Sequence, residues 1–114
     1  MLPEVSGVRR RSPGTVLVVD DLDANLSALA AVLRLEGYSV LVASNGRQGL
    51  DMVLDNRPDV VVSDIRMPVM DGFALCRELK ASADTCLIPV ILLTGATEAQ
   101  DRLRAIEAGA NDFL

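Results

Sequence analysis

Three apolar segments of the chain each end on side chains suited to phosphoryl chemistry. These are residues 16–19 with Asp20 and Asp21, residues 60–63 with Asp64, and residues 90–93 with Thr94. Carboxylates can bind a divalent cation or act as nucleophiles, and a hydroxyl group can donate a hydrogen bond to a phosphoryl oxygen. The pattern predicts a site for a cation and a phosphoryl group, provided that the fold brings the three segment ends together.

The three segments are predicted to be buried strands of a parallel sheet. They are short, rich in β-branched residues and lack polar alternation, as strands covered on both faces do. Residues 40–43 predict another strand, and segments with helical periodicity lie between the strands. This alternation indicates an α/β fold. Ligands of such sheets bind at the carboxyl ends of the strands. The acids and the hydroxyl group should therefore meet at one edge if the first, third and fourth strands are neighbours.

The predicted helices have recognisable boundaries. The first follows Asp23, a candidate N-cap, and the second ends before Pro58. The third runs through residues 73–79, and the fourth contains Leu103 and Ile106 and ends at Gly109. A fifth strand is expected to begin within residues 111–114.

Composition narrows the class of protein. The chain has 114 residues, a formal charge of −5 and a hydrophobic content of 50%, which suits one domain with an aliphatic core. Its acidity argues against direct nucleic-acid binding, and no apolar segment approaches the roughly 20 residues of a membrane span.

Cys76 and Cys86 form no metal or redox motif and are expected to be buried or half-buried reduced thiols. A cytoplasmic location is predicted.

The first 14 residues differ from the remainder of the chain. They contain Pro3, Gly7, Pro13 and a basic triplet without hydrophobic periodicity. We expect a disordered leader or the end of a linker at residues 1–14, followed by one domain at residues 15–114.

A calcium-binding loop can be rejected. Residues 21–25 match the start of an EF-hand loop, but Leu26 stands where that loop needs glycine and Val32 where it needs glutamate.

The chain resembles the receiver domain of a two-component response regulator from Thr15 to Leu114. The motifs that carry the resemblance are Val-Leu-Val-Val-Asp-Asp at residues 16–21, Asp-Ile-Arg-Met-Pro-Val-Met-Asp-Gly at residues 64–72, Ile-Pro-Val-Ile-Leu-Leu-Thr-Gly at residues 88–95 and Glu-Ala-Gly-Ala-Asn-Asp-Phe at residues 107–113. The resemblance implies a flavodoxin-like, doubly wound α/β fold with strand order 2-1-3-4-5. That order supplies the strand adjacency on which the predicted site depends.

The resemblance also implies the residues of a magnesium site. Asp64 would be both a metal ligand and the phosphoacceptor, receiving a phosphoryl group from a sensor histidine kinase or a phosphotransfer protein. Asp21 would bind Mg²⁺ directly and Asp20 mostly through water. The backbone carbonyl group of Arg66 would complete the protein ligands. We expect the Arg66 side chain either to line the entrance to the site or merely to be solvated, and we favour the second.

Two further residues are implied to form a conformational switch. Thr94 would donate a hydrogen bond to the phosphoryl group on Asp64, and Phe113 would change rotamer as Thr94 moves inward. The output face would comprise the fourth helix and the fifth strand. Such a domain is a signalling device that catalyses its own phosphorylation and dephosphorylation, rather than an enzyme in the usual sense.

Two alternatives stay open. A degenerate receiver would act as a protein-interaction module without phosphorylation, although all acceptor and metal positions are filled here. A phosphatase resembling the haloacid dehalogenases is weaker, because the second aspartate of their Asp-x-Asp motif is an acid–base catalyst, whereas Asp23 suits a helix cap.

The resemblance is incomplete at the carboxyl terminus. Receivers carry a lysine, usually followed by proline, just beyond the position of Leu114, and then a final helix. The chain stops first, and its one lysine, Lys80, lies in the third helix. We therefore expect a fragment with an incomplete fifth strand and a missing last helix. The apolar strip that this helix would cover is expected to favour a dimer or a domain swap.

Overall fold

The computed structural model describes residues 14–21, 23–93 and 99–114, with the side chains of residues 23, 25 and 26 left out. Strands and helices alternate as predicted: β1 (Thr15–Val19), α1 (Asp23–Leu35), β2 (Ser39–Ala43), α2 (Gly46–Asn56), β3 (Val60–Asp64), α3 (Gly72–Ala81), β4 (Val90–Leu93), α4 (Ala99–Ala108) and β5 (Asp112–Phe113). The predicted leader, apart from Gly14, lies outside the described residues, and so does Thr94.

The five strands form one parallel sheet in the order β2-β1-β3-β4-β5. Val16 is paired with Val60 and Val61 with Val90, so β1, β3 and β4 are neighbours. This order confirms the predicted flavodoxin-like fold. In the described part of the chain, β5 is the shortest strand, and Leu114 extends it by donating its N–H to the Leu92 carbonyl group at 2.9 Å.

The main core lies between the sheet and helices α2, α3 and α4. Alternate strand residues such as Leu17, Val61 and Leu92 pack there against Val53, Phe73, Leu79 and Ala105, all at most 1% exposed. Burying a side chain of this size contributes about 1.5–3 kcal/mol. The core is aliphatic apart from two phenylalanines, as the composition predicts.

The opposite face of the sheet is covered less evenly. Helix α1 packs against β1 and β2. On β3 and β4, the residues that alternate with the core positions are half-buried and lie outside the main core: Val60, Val62, Ile91 and Leu93. Their apolar character agrees with the expected strip, and self-association through it stays a prediction. Within the described residues, no helix is long and apolar enough to cross a membrane.

Candidate metal and phosphoryl site

The ends of β1 and β3 place three acidic residues at the same edge of the sheet. Val19 is paired with Ser63, so the next residues, Asp20 and Asp64, lie level with each other. Asp20 donates its backbone N–H to the carbonyl oxygen of Ala43 at 3.1 Å, which holds this residue at the end of the sheet. Asp21 follows in the loop and is exposed, while Asp20 and Asp64 are half-buried.

The carboxylates of Asp20, Asp21 and Asp64 converge. Each offers one oxygen atom, and these atoms lie within 4.8 Å of one another. Asp64 is further oriented by a hydrogen bond in which the Ile65 N–H donates to its Oδ1 atom at 2.9 Å. The structure thus brings together the three acids predicted as metal ligands.

Proximity and burial change the proton affinity of Asp64. Desolvation raises the pKa of this carboxyl group above its ordinary value of 3.8, and the negative charges of Asp20 and Asp21 raise it further. The hydrogen bond from Ile65 and the positive charge of Arg66 act in the opposite direction without cancelling the increase. The pKa is therefore raised because the folded protein stabilises the ionised form of Asp64 less well than water does.

The same three carboxylates have the chemistry of a Mg²⁺ site. Magnesium prefers oxygen ligands, retains several waters and commonly uses one or two carboxylates together with a phosphate. A divalent cation among Asp20, Asp21 and Asp64 would offset their mutual repulsion, and the exposure of Asp21 leaves room for water ligands. The donor set fits the metal.

The loop from Ile65 to Asp71 is fixed at both ends. Gly72 donates its N–H to the Ile65 carbonyl oxygen at 2.8 Å, and Asp71 caps α3 by accepting the Ala74 N–H at 2.8 Å. Near its carboxyl end the loop is also bonded to the start of α2, because Gly46 donates its N–H to the Met70 carbonyl oxygen at 2.9 Å. This bracing holds Asp64 and the following residues at the edge of the sheet.

The remaining predicted site residues have different outcomes. Thr94 lies outside the described residues, so its role stays a prediction. The metal-binding role of the Arg66 carbonyl group also stays a prediction. Phe113 is 9% exposed and packs in the main core, where the guanidinium group of Arg102 lies 5.2 Å from its ring centroid. It forms one wall of an open cleft of about 210 Å³ between α4 and β5, which leaves space beside the ring.

Lys80 lies in α3, as predicted, and its ammonium group makes structural hydrogen bonds. Its Nζ atom donates hydrogen bonds to the carbonyl oxygens of Cys86 at 3.1 Å and Ile88 at 2.8 Å. Lys80 therefore fastens the segment that leads into β4.

One charged pair next to the acids was not anticipated. The Nη2 atom of Arg66 lies 2.7 Å from the Oδ2 atom of Asp101 in the first turn of α4. The Arg66 side chain is largely exposed, as the favoured alternative expects, but it is not merely solvated, because its guanidinium group forms an ion pair with a carboxylate on another element. Nothing in the sequence pattern distinguishes Asp101 from an ordinary solvent-facing acid.

The fold and the acidic edge define a class: doubly wound parallel α/β domains whose ligands bind at the carboxyl ends of the central strands. The family model for the response regulator receiver domain matches residues 16–114. The chain therefore belongs to the response regulator receiver domain family of two-component systems.

Two relatives illustrate the similarity of this chain to other receiver domains. Response regulator PleD of Caulobacter vibrioides is 44% identical over 99 residues, which are 87% of this chain and 22% of PleD. The chain thus spans about a fifth of that relative. The signal receiver domain of a histidine kinase from Syntrophus aciditrophicus is 42% identical, with a TM-score of 0.83 over 89% of this chain and 76% of its own.

A further solved structure bears on the metal. The receiver domain of sensor histidine kinase PA1611 from Pseudomonas aeruginosa PAO1 has a magnesium ion coordinated in its active site cleft. It is 34% identical to this chain, with a TM-score of 0.82 over 89% of this chain and 83% of its own.

Proposed function

We propose that Asp64 accepts a phosphoryl group, in a Mg²⁺-dependent reaction, from a phosphohistidine on a sensor histidine kinase or a phosphotransfer protein. The observation that carries the proposal is the convergence of the Asp20, Asp21 and Asp64 oxygens within 4.8 Å at the carboxyl edge of the sheet. Membership of the receiver family supports the partner class.

The reaction conserves all atoms of the phosphoryl group. A carboxylate oxygen of Asp64 attacks phosphorus, a P–O bond forms, and the N–P bond to the donor imidazole breaks with its electron pair returning to nitrogen. Asp20, Asp21 and Asp64 itself, with the Arg66 carbonyl group, would hold the metal, which would supply charge stabilisation for the transferring group. Water then hydrolyses the acyl phosphate, which releases inorganic phosphate and restores the Asp64 carboxylate, so the phosphorylated state is a transient signal and the domain is not an enzyme in the usual sense.

The bracing of the 65–71 loop supports this role for Asp64. Phosphoryl transfer depends mainly on position and charge, and the Ile65 N–H orients the acceptor carboxylate. The output of the modification would appear on α4 and β5, through Thr94 and Phe113.

The proposal is tested by incubating the full-length protein with acetyl phosphate and Mg²⁺ and measuring intact mass. We expect the mass of one phosphoryl group to be added, lost on treatment with hydroxylamine, and absent from Asp64→Asn or after chelation of the metal. Asp51→Asn is the matched control, because Asp51 is an exposed acid paired with Arg47 on α2. Absence of any adduct in the wild type would overturn the proposal and favour the interaction-module alternative.

A further inference from the structure

Arg66 connects the loop that follows the acceptor strand to the output helix. It lies in the loop after β3, whereas Asp101 lies in the first turn of α4. Their side-chain atoms Nη2 and Oδ2 are 2.7 Å apart, a hydrogen-bonded ion pair. The contact bridges two elements that are far apart along the chain.

The two members of the pair have very different surroundings. The Arg66 side chain is 64% exposed, while that of Asp101 is 5% exposed. An exposed guanidinium group that leaves its partner is solvated by water and loses little. A buried carboxylate that loses its partner keeps the cost of desolvation, and only part of that cost is offset by its place at the amino end of a helix. Breaking the pair therefore costs Arg66 little free energy, whereas it destabilises the turn of α4 that contains Asp101.

Arg66 is also close to the phosphoacceptor. It lies two residues after Asp64, at the start of the loop that follows β3. Phosphorylation of Asp64 would add nearly two negative charges and three acceptor oxygens. Guanidinium groups bind phosphoryl oxygens in a bidentate manner. The modified Asp64 would therefore compete with Asp101 for the same arginine.

We propose that Arg66 and Asp101 form a phosphorylation-sensitive latch, in which Arg66 exchanges Asp101 for the phosphoryl group on Asp64 and releases the first turn of α4. This inference rests on the proposed phosphoacceptor function of Asp64. It adds a direct ionic route from the site to the output helix.

The remaining contacts of α4 explain which part of the helix would move. Ala105 and Ala108 pack in the main core, and the Arg104 guanidinium group lies 4.3 Å from the centroid of the buried Phe73 ring. These contacts hold the second half of the helix. Release of Asp101 would thus loosen the first turn while the later turns stay docked.

Hydrogen exchange on the full-length protein tests the latch directly. The probe is beryllofluoride with Mg²⁺, a stable mimic of the phosphoryl group, and the readout is exchange in peptides covering residues 99–108. In the wild type we expect the amides of residues 103–105, which bond to carbonyl groups in the first turn of α4, to exchange faster by about fivefold or more when the probe binds. In Arg66→Gln, exchange there should already be fast and should change little.

A double-mutant cycle on probe affinity provides the second readout. Asp101→Asn should raise beryllofluoride affinity by about fivefold, because it frees Arg66, and should have no effect in an Arg66→Gln background. Glu107→Gln, an exposed acid on the same helix, is the matched control and should change nothing. If Asp101→Asn unfolds the protein, the latch is still tested by comparing hydrogen exchange in the wild type with hydrogen exchange in Arg66→Gln.

The outcomes separate the two proposals. Wild-type protein that neither binds beryllofluoride nor gains a phosphoryl group overturns the phosphoacceptor function and the latch with it. Wild-type protein that binds the probe, but with unchanged α4 exchange and additive variants, overturns the latch alone.

Discussion

Gly72 lies directly against the carbonyl group of Asp64, so that a Cβ atom on residue 72 would overlap that oxygen and lie 3.0 Å from the Cα atom of Ile65. Both neighbours are backbone and neither can rotate away. We expect Gly72→Ala to lower the free energy of unfolding by about 1–3 kcal/mol, as overpacking does. Because the strain falls on Asp64, phosphoryl incorporation per folded molecule should also decrease. Urea unfolding and intact-mass measurements check the two effects.

Gly109→Ala separates loss of stability from damage to the site. Gly109 has a φ of +89° at the end of α4, which an alanine adopts only with strain. This variant should be destabilised by about 1 kcal/mol while incorporating phosphate normally. Equal loss of incorporation in both variants would contradict the positional role of Gly72.

Val69 is strained in the loop that follows the acceptor. Its φ is 71°, a left-handed conformation that is rare for a β-branched residue, and its side chain is 81% exposed. Such strain costs about 1–3 kcal/mol, whereas the extra freedom of glycine in the unfolded chain costs about 0.5–1 kcal/mol. Val69→Gly should therefore raise the free energy of unfolding by about 1 kcal/mol, as measured in urea.

The control for that variant is Leu87→Gly. Leu87 is 90% exposed and is not among the residues with positive φ in the described chain. It offers no strain to relieve, so the same type of substitution should leave stability unchanged or lower it. Stabilisation by both variants would show that loss of an exposed apolar side chain, rather than backbone relief, is responsible.

The raised pKa of Asp64 predicts how stability depends on pH. The folded protein binds the proton of this carboxyl group more tightly than the unfolded chain, whose ordinary pKa is 3.8. As pH rises from 3.8 through the folded-state pKa, Asp64 becomes increasingly unfavourable to folding, and the penalty persists at neutral pH. Without Mg²⁺, Asp64→Asn should thus be more stable than the wild type at pH 7. This difference in stability should become smaller near pH 4.

Thermal unfolding with and without Mg²⁺ checks this prediction. The cation should stabilise the wild type, since it binds the folded acids, and should stabilise Asp64→Asn less. Asp84→Asn serves as the control. Asp84 is an exposed acid in the segment after α3, outside the cluster of three acids, and it is paired weakly with Arg57. A wild type that gains stability steadily as the pH rises from 4 to 7 and exceeds Asp64→Asn would argue against the electrostatic account.

The two cysteines should react at different rates. Cys76 is fully buried, its Sγ atom donates to the Ala108 carbonyl oxygen at 3.3 Å, and burial raises its pKa. Cys86 is half-buried. Under native conditions a thiol reagent should modify Cys86 first, and Cys86→Ser should react only as fast as the protein opens. Rapid modification of Cys76 in the folded Cys86→Ser variant would contradict the packing around α3 and α4.

Much of the fold was predictable because parallel strands covered on both faces leave uninterrupted apolar segments. The predicted strands at residues 16–19, 40–43, 60–63 and 90–93 differ from the observed ones by at most one residue at an end. The convergence of the acids followed from the strand order that the family resemblance supplied. The roles of these acids in metal binding and phosphorylation stay predictions.

The remaining features depend on tertiary orientation. Leu103 and Ile106 identified α4, yet they are 57% and 67% exposed while Asp101 is buried. Hydrophobic periodicity therefore located the helix but not the face that it buries. The Arg66–Asp101 pair and the conformation of Val69 arise from how the loop and the helix are docked, which no local pattern encodes.

The interior position of β1 in the sheet, between β2 and β3, delays the completion of its pairing during synthesis. This strand leaves the ribosome before its partners β2 and β3. The side of β1 that pairs with β3 cannot form its ladder until Val60, the partner of Val16, has been synthesised. Every ladder joins segments separated by a whole helix, so loop closure precedes any gain from pairing. Nascent β1 is thus an unpaired, valine-rich edge for the time that ribosomes need to make the next forty or so residues, an interval of a few seconds. During that interval the edge is open to pairing with other chains.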